Sequence, residues 1–258
     1  MTVLVKKHIP TGTIVLNRPE RRNALSRQMM TELAQALSDM HGEKQVRAVV
    51  LTGSGNSFCS GMDLHEMQEH SKSERPHDEY HDDAVQYCEL LEQMLRFPKP
   101  IIAAVNGPVM AGGMGLVLAS DVVIAASEAT FGLPEPRRGL VAGMVSPLLA
   151  FRLGASHAAR LLLTAESVSA SEAYRMGLVA DITVFDLLWA RAHDLSQKIA
   201  LSAPQAIQLT KRMLNETIGE HLGTLLAAGA AASATARTTD AATEGLAAFL
   251  EKRAPQWS

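Results

Sequence analysis

With 258 residues, 47% of them hydrophobic, the chain is long enough to bury a sizeable core as one domain or as a domain with an appendage. A net charge of −3 and a pI near 6.3 argue against a general nucleic-acid binder, and 4% aromatic residues are too few to stack single-stranded bases. Cys59 and Cys88 offer neither a disulfide framework nor a metal-knuckle spacing. The first residues lack a signal-peptide apolar run, and no stretch reaches transmembrane length, so a soluble cytoplasmic protein is expected.

In chain order, Thr13–Leu16 alternates weakly and stops at Asn17-Arg18-Pro19, which predicts a strand and a turn. Ser26 is placed to cap a helix that carries Met30, Leu33, Leu37 and Met40 on one face and stops at Gly42. Arg47–Thr52 is a β-branched run suited to a buried parallel strand. His65 to His81 is polar, with no clear apolar period before Val85, and predicts a mobile loop or helix near a site mouth. Ile101–Val105 and Val122–Ala126 read as further strands, and their alternation with helical stretches predicts an α/β fold of right-handed βαβ units.

After residue 145 the pattern turns wholly helical. Ser169-Ala170-Ser171-Glu172 has a capping-box pattern, Asp186 is a candidate cap for Leu187–Ser202, and Pro204 sits where a helix can begin. From Glu220 the tail is alanine-rich with few large apolar residues before Leu246, Phe249 and Leu250. Such a helix has little to bury against its own chain, which predicts packing on a second subunit.

The most informative stretch is the glycine run Ala111-Gly112-Gly113-Met114-Gly115, close behind the Ile101–Val105 strand. Glycines at a strand-to-helix turn let backbone N–H groups face a ligand with no Cβ in the way. They equally suit a helix that packs closely on a sheet. A dinucleotide fingerprint would need a third glycine three residues on, and a P-loop would need a Gly-Lys-Ser/Thr; both are missing, as is any Gly-x-Ser-x-Gly elbow. His77 and His81 stand at i,i+4, a spacing easily met by accident in a polar stretch, and no Glu-bracketed zinc pattern accompanies them, so no metal site is expected.

Taken together, Asn17-Arg18-Pro19-Glu20-Arg21-Arg22-Asn23-Ala24-Leu25, Phe58-Cys59-Ser60-Gly61-Met62-Asp63-Leu64, Pro100–Gly107, the glycine run and Phe131-Gly132-Leu133-Pro134-Glu135 resemble the crotonase (enoyl-CoA hydratase/isomerase) superfamily. The likeness continues through Leu163-Thr164-Ala165-Glu166 and Gly177-Leu178-Val179 to Phe249-Leu250-Glu251-Lys252-Arg253, nearly the whole length. It implies a spiral of ββα units over residues 1–200, which would hold the CoA/acyl site. A helical oligomerisation region over 201–258 would assemble the chain as a homotrimer or a dimer of trimers.

It also implies an acyl-CoA substrate, with coenzyme A as the thioester carrier and no other cofactor. The N–H groups of Ser60 and Gly112 would hold the thioester oxygen as negative charge develops on it. Glu135 would move the protons. Met62, Asp63, Leu64 and Gly143 would line the CoA and acyl path, and Arg22 and Ala24 would meet the nucleotide end. Asp63 fits the capping of a following turn equally well. Hydratases of the family carry a second glutamate where this chain has Gly115, and some dienoyl isomerases carry an aspartate where it has Gly143. A carboxyl at position 115 would then face Glu135. With one acid left, the expectation is double-bond isomerisation or (de)hydration through Glu135. A 2-enoyl-CoA hydratase of fatty-acid β-oxidation and a weakly catalytic CoA-binding homologue are the alternatives.

Of the paired basic residues, Arg21-Arg22, Arg137-Arg138, Lys211-Arg212 and Lys252-Arg253 read as solvated faces. Under the resemblance some of them, Lys252 or Arg253 included, would meet CoA phosphates.

Overall fold

The computed structural model describes residues 1–257. Nine strands are formed by Val3–His8 (β1), Thr11–Leu16 (β2), Ala48–Gly53 (β3), Ile101–Val105 (β4), Val109–Met110 (β5), Val122–Ala126 (β6), Thr130–Gly132 (β7), Ser167–Ser169 (β8) and Asp181–Thr183 (β9). Helices follow at Arg27–Gly42 (α1), Leu64–His70 (α2), Pro76–Arg96 (α3), Gly112–Ala119 (α4), Val145–Thr164 (α5), Ala170–Arg175 (α6), Leu188–Ala200 (α7), Pro204–Arg212 (α8), Leu222–Ala236 (α9) and Asp240–Leu250 (α10). None is long and apolar enough to cross a membrane.

Six strands form the main sheet in the order β1-β2-β3-β4-β6-β9, with β1 and β2 antiparallel and every later pair parallel. A second sheet runs β5-β7-β8. The period of two in a strand explains how the main sheet is covered on both faces. Val49, Leu51, Ile101, Ala103 and Val105 face the larger core with α1, α3 and α4, whereas Ala48, Val50, Ile102, Ala104 and Ile124 face Leu188 and Ala192 of α7.

The local signals at α1 act as expected. The Ser26 hydroxyl accepts from the Met29 N–H at 3.2 Å, and Met29, Met30, Leu33, Leu37 and Met40 are buried. The His65–His81 stretch, expected as a mobile loop or helix, is ordered as α2 and the start of α3. Pro76 opens α3 with Asp78 and Glu79 in its first turn, and Tyr80, Ala84, Tyr87, Leu91 and Met94 form its buried face.

Several expectations need correction. The region after residue 145 is not wholly helical, because Ser167–Ser169 pairs with β7 and Asp181–Thr183 extends the main sheet beside β6. Asp186 caps nothing; it sits in a 3-10 turn, and α7 begins behind Leu187 with no side-chain cap. Only half of a capping box forms at Ser169, whose hydroxyl accepts from the Glu172 N–H, while the Glu172 carboxylate pairs with Arg160. The alanine-rich α9 does bury itself on its own chain, against α3 and α5. Its small residues permit that approach: a Cβ on Gly229 would lie 2.9 Å from the Met144 nitrogen.

Candidate active site

A cavity of about 90 Å³ lies between α2, α3, the start of α4, the turn after β7 and α9. Its wall is largely apolar, from Met62, Leu64, Met67, Leu140 and Met144, and Tyr87, Glu135, Arg138 and Arg237 also reach it.

Two backbone segments meet at its floor. Behind β3, Leu25 and Met62 form a parallel bridge in which the Leu25 N–H donates to the Gly61 carbonyl and the Asp63 N–H to the Leu25 carbonyl. That pattern turns the Met62 N–H the other way, and it has no acceptor among the described residues. The second segment is the start of α4. Gly112 is its first residue, so its N–H has no intrahelical partner, and it too finds no acceptor among the described residues.

The two N–H groups lie side by side. A Cβ on Gly112 would stand 3.6 Å from the Met62 nitrogen, and one on Gly61 would stand 3.0 Å from the Gly112 nitrogen. The same Gly61 Cβ would collide with the Ala111 side chain at 2.6 Å, and Gly61 has φ +92°, so only glycine fits there. Ala111 itself is held at φ 52°, ψ −126°, a costly backbone for alanine. Two unengaged donors backed by a helix N-terminus suit an oxygen that gains negative charge.

Ser60, expected as one of the donors, is not placed for it. Its N–H donates to the Arg22 carbonyl at 3.0 Å and its side chain leans on the Arg21 carbonyl. The free N–H belongs to Met62, two residues on. Ser60, Arg22, Ala24, Asp63 and Gly115 are all absent from the cavity wall, while Met62, Leu64, Gly112, Glu135 and Gly143 line it. Arg22 and Ala24 run alongside Ser60–Met62, with Arg22 exposed at φ 51° and Ala24 offering its carbonyl to Arg18 at 2.7 Å.

Asp63 is a cap. It accepts from the His65 and Glu66 N–H groups at the start of α2 and pairs with Arg18 at 2.8 Å. Burial opposes its charge, but Arg18 and the two amides outweigh burial and hold the carboxyl below its ordinary range.

Glu135 opens the 3-10 turn Glu135–Arg138 behind β7 and is 8% exposed. Its Oε2 has no hydrogen-bond partner among the described residues. Burial pushes the carboxyl up from 4.5 to about 7, against a smaller opposing pull from the Arg138 charge. Such a group exchanges protons near neutral pH.

The other carboxylate in the wall, Asp83 of α3, is fully engaged. It accepts from Arg27 Nε at 2.6 Å and Arg237 Nη1 at 2.7 Å, and lies 3.0 Å from His70 Nδ1. Burial opposes its charge, but these partners hold its pKa low. Arg237, from the tail behind α9, also stacks over the Tyr80 ring at 4.1 Å. Neither Asp83 nor Arg237 was visible as a site residue in the sequence. The buried Cys59 thiol is pushed up to about 12 by desolvation, so it stays protonated and unreactive.

The two glycines that replace family acids differ in their surroundings. A Cβ on Gly143 would strike the Gly229 carbonyl of α9 and lie 2.7 Å from Ser233 Oγ, so close helix packing excludes any side chain. A Cβ on Gly115 would overlap the Tyr87 hydroxyl and lie 3.0 Å from Tyr87 Cζ and 3.3 Å from Leu91 Cδ2. The expected open place for a second carboxyl is therefore already filled, by Tyr87.

Comparison with known proteins gives the family of the chain. The family model described as enoyl-CoA hydratase/isomerase matches residues 10–258. A Thermus thermophilus protein with a provisional enoyl-CoA hydratase name is 39% identical over all of both chains. The short-chain-enoyl-CoA hydratase of Clostridium acetobutylicum is 33% identical over 97% of this chain and 95% of its own. Among solved structures, an enoyl-CoA hydratase from Mycobacterium avium superposes with a TM-score of 0.88 at 32% identity, covering 100% of this chain and 99% of that one. With the family model over residues 10–258, relatives matched over nearly their full length and the same fold in solved structures, this chain belongs to the enoyl-CoA hydratase/isomerase family, the crotonase superfamily.

Proposed function

We propose that the cavity binds the acyl part of an enoyl-CoA thioester, and that Glu135 alone moves the protons of a double-bond migration or a (de)hydration through a thioester enolate. The observation that carries this reading is the state of Glu135: buried, one oxygen unpartnered, a pKa of about 7, and no second free carboxylate in the wall. Removing a proton beside a thioester places negative charge on its oxygen. The N–H groups of Met62 and Gly112 are the donors suited to hold that charge in a site partly closed to water.

For a 3-enoyl-CoA, the Glu135 carboxylate takes a proton from C2, leaving a dienolate whose charge rests on the thioester oxygen. Glu135, now a carboxylic acid, returns the proton at C4, and the double bond ends between C2 and C3. One base suffices because the proton taken is the proton returned. Adding water to a 2-enoyl-CoA asks more of it, since one proton leaves water at C3 and another arrives at C2. Met62, Leu64 and Gly143 would bound the acyl group, while Arg22 and Ala24, outside the cavity along the Ser60–Met62 segment, would meet the CoA arm. No further cofactor is required.

Hydration is the second reading, favoured by the hydratase names of the relatives. The two are separated by offering 2-enoyl-, 3-enoyl- and 3-hydroxyacyl-CoAs and following conjugated absorbance. The expected result is faster conversion of 3-enoyl than of 2-enoyl substrate, lost in Glu135→Gln. Rapid hydration of crotonyl-CoA with no 3-enoyl turnover would give the site to the hydratase reading.

A further inference from the structure

Tyr87 lies on the buried face of α3, 2% exposed, with its ring in the cavity wall. Its hydroxyl donates to the carbonyl of Gly112. The Gly112 N–H is one of the two unengaged donors of the cavity floor; its peptide is shared with Ala111, which holds a costly positive φ and whose carbonyl accepts from the Met114 N–H at 2.9 Å. Gly112 has no side chain of its own to limit rotation about its Cα. The phenol holds the following peptide through the Gly112 carbonyl, so the glycine is fixed on both sides while its N–H is left free.

The same hydroxyl stands where the Cβ of any residue at position 115 would go. Burial, with Cys59 and Glu135 nearby, drives the phenol pKa well above 10, so it remains a donor at any working pH.

We propose that Tyr87 is the positioning residue of this site: its hydroxyl, by holding the peptide that follows Gly112, keeps the Gly112 N–H directed at the thioester oxygen, and the same hydroxyl occupies the place of a second acid, leaving Glu135 as the single proton carrier. This rests on the enolate reading above and adds to it the group that determines how many carboxyls the site can hold. Held donors matter because an oxyanion donor acts through preorganisation. A peptide free to tilt loses its advantage exactly as charge develops, not when the ground state binds.

The test uses Tyr87→Phe, which keeps the ring and removes the hydroxyl, with 2,4-hexadienoyl-CoA as a bound probe whose absorption moves to longer wavelength when its thioester carbonyl is polarised. Expected are a smaller red shift than in wild type, a dissociation constant within about threefold, and kcat lowered about 10–10²-fold with KM little changed. A full red shift and full kcat in Tyr87→Phe would overturn the positioning role. No red shift in wild type itself would instead overturn the enolate reading, so the two failures are distinct.

The steric half is read from Gly115→Glu with and without Tyr87→Ala. Gly115→Glu alone should lose fold or ligand binding, whereas the double variant should bind and hydrate crotonyl-CoA faster than Tyr87→Ala alone. Gly115→Glu that melts and binds like wild type would show that Tyr87 does not close this position.

Discussion

At the scale of single residues, the site is a problem of one carboxyl in an unfavourable place. The folded pKa of Glu135, about 7, lies above its ordinary 4.5, so the folded chain holds this proton more tightly than the unfolded chain does. Below about pH 4.5 both states are protonated and the burial costs little. Between 4.5 and 7 the unfolded state releases the proton first, and stability falls as pH rises. Above 7 the cost is constant, about 3 kcal/mol for a shift of this size. Glu135→Gln should thus melt higher than wild type above pH 7 and alike below pH 4.5, while turnover drops about 10²–10⁴-fold with little change in ligand affinity. Equal melting temperatures across the pH range at fixed protein concentration would contradict the buried-acid account, and unchanged turnover would remove Glu135 from the mechanism.

Arg138 opposes that burial effect. It lines the cavity, stacks over Phe249 at 4.2 Å, and has no ion-pair partner among the described residues. Its charge pulls the Glu135 pKa down. Arg138→Leu should move the acidic limb of the pH–rate profile to higher pH, because more base is needed to ionise Glu135. A limb that stays in place or moves to lower pH would show that the Arg138 charge does not reach the carboxyl.

At the scale of elements, buried charge fastens the helical tail to the sheet. Lys211, near the end of α8, is 5% exposed and donates to Asp121 Oδ2 at 2.7 Å and to the Met94 and Lys99 carbonyls, each at 3.2 Å. Asp121 in turn accepts from the Ile101 N–H at 2.7 Å, at the start of β4. Burial lowers the Lys211 pKa and Asp121 pulls it back up, so removing either partner strands the other. Lys211→Ala should cost about 3–5 kcal/mol of stability, read from urea unfolding at neutral pH. A loss under about 1 kcal/mol would show that water replaces the lysine at little cost.

These elements also show what the sequence could and could not reveal. The helix α1 was legible because its cap and its buried face are local. The strands β8 and β9 have only 3 residues each and exist through partners far away in the chain, so no period could announce them. The helix α3 was hidden because its inward face carries Tyr80, Asp83 and Tyr87 among its apolar residues, which blurs the hydropathy period. Glu135 and the Gly112 turn were readable from the family motif. That Met62 and not Ser60 keeps a free N–H depends on the Arg22 carbonyl, which comes from a distant loop. Tyr87 was missed for the same reason: it acts on a glycine run 25 residues further along the chain.

At the scale of the whole molecule, the helical tail is only half used within one chain. The helix α9 buries Leu222, Leu226, Gly229 and Ala230 against α3 and α5, so the tail does not depend wholly on a neighbour. On the other side, Leu209, Met213, Leu214, Ile218 and Leu225 stand exposed along α8, the turn after it and the start of α9, with Ile218 69% exposed. A cluster of large exposed apolar side chains of this kind is the surface that an interaction partner would cover. The guanidinium of Arg253, expected near a CoA phosphate, is paired within the chain with Glu244 at 2.6 Å and Glu251 at 2.7 Å. Self-association through the α8–α9 face is the assembly these residues favour, consistent with the trimer or dimer of trimers that the family resemblance implies. Light scattering should then give a mass of three or six times 27.7 kDa at micromolar concentration. Met213→Asp with Ile218→Asp places charges on exposed positions that a monomer tolerates and an apolar interface does not, so the pair should lower the mass without unfolding the chain. The melting temperature of wild type should rise with protein concentration, since association stabilises only the folded state, and that dependence should vanish in the double variant. A wild-type chain that scatters as a stable monomer and melts at the same temperature at every concentration would overturn this assembly.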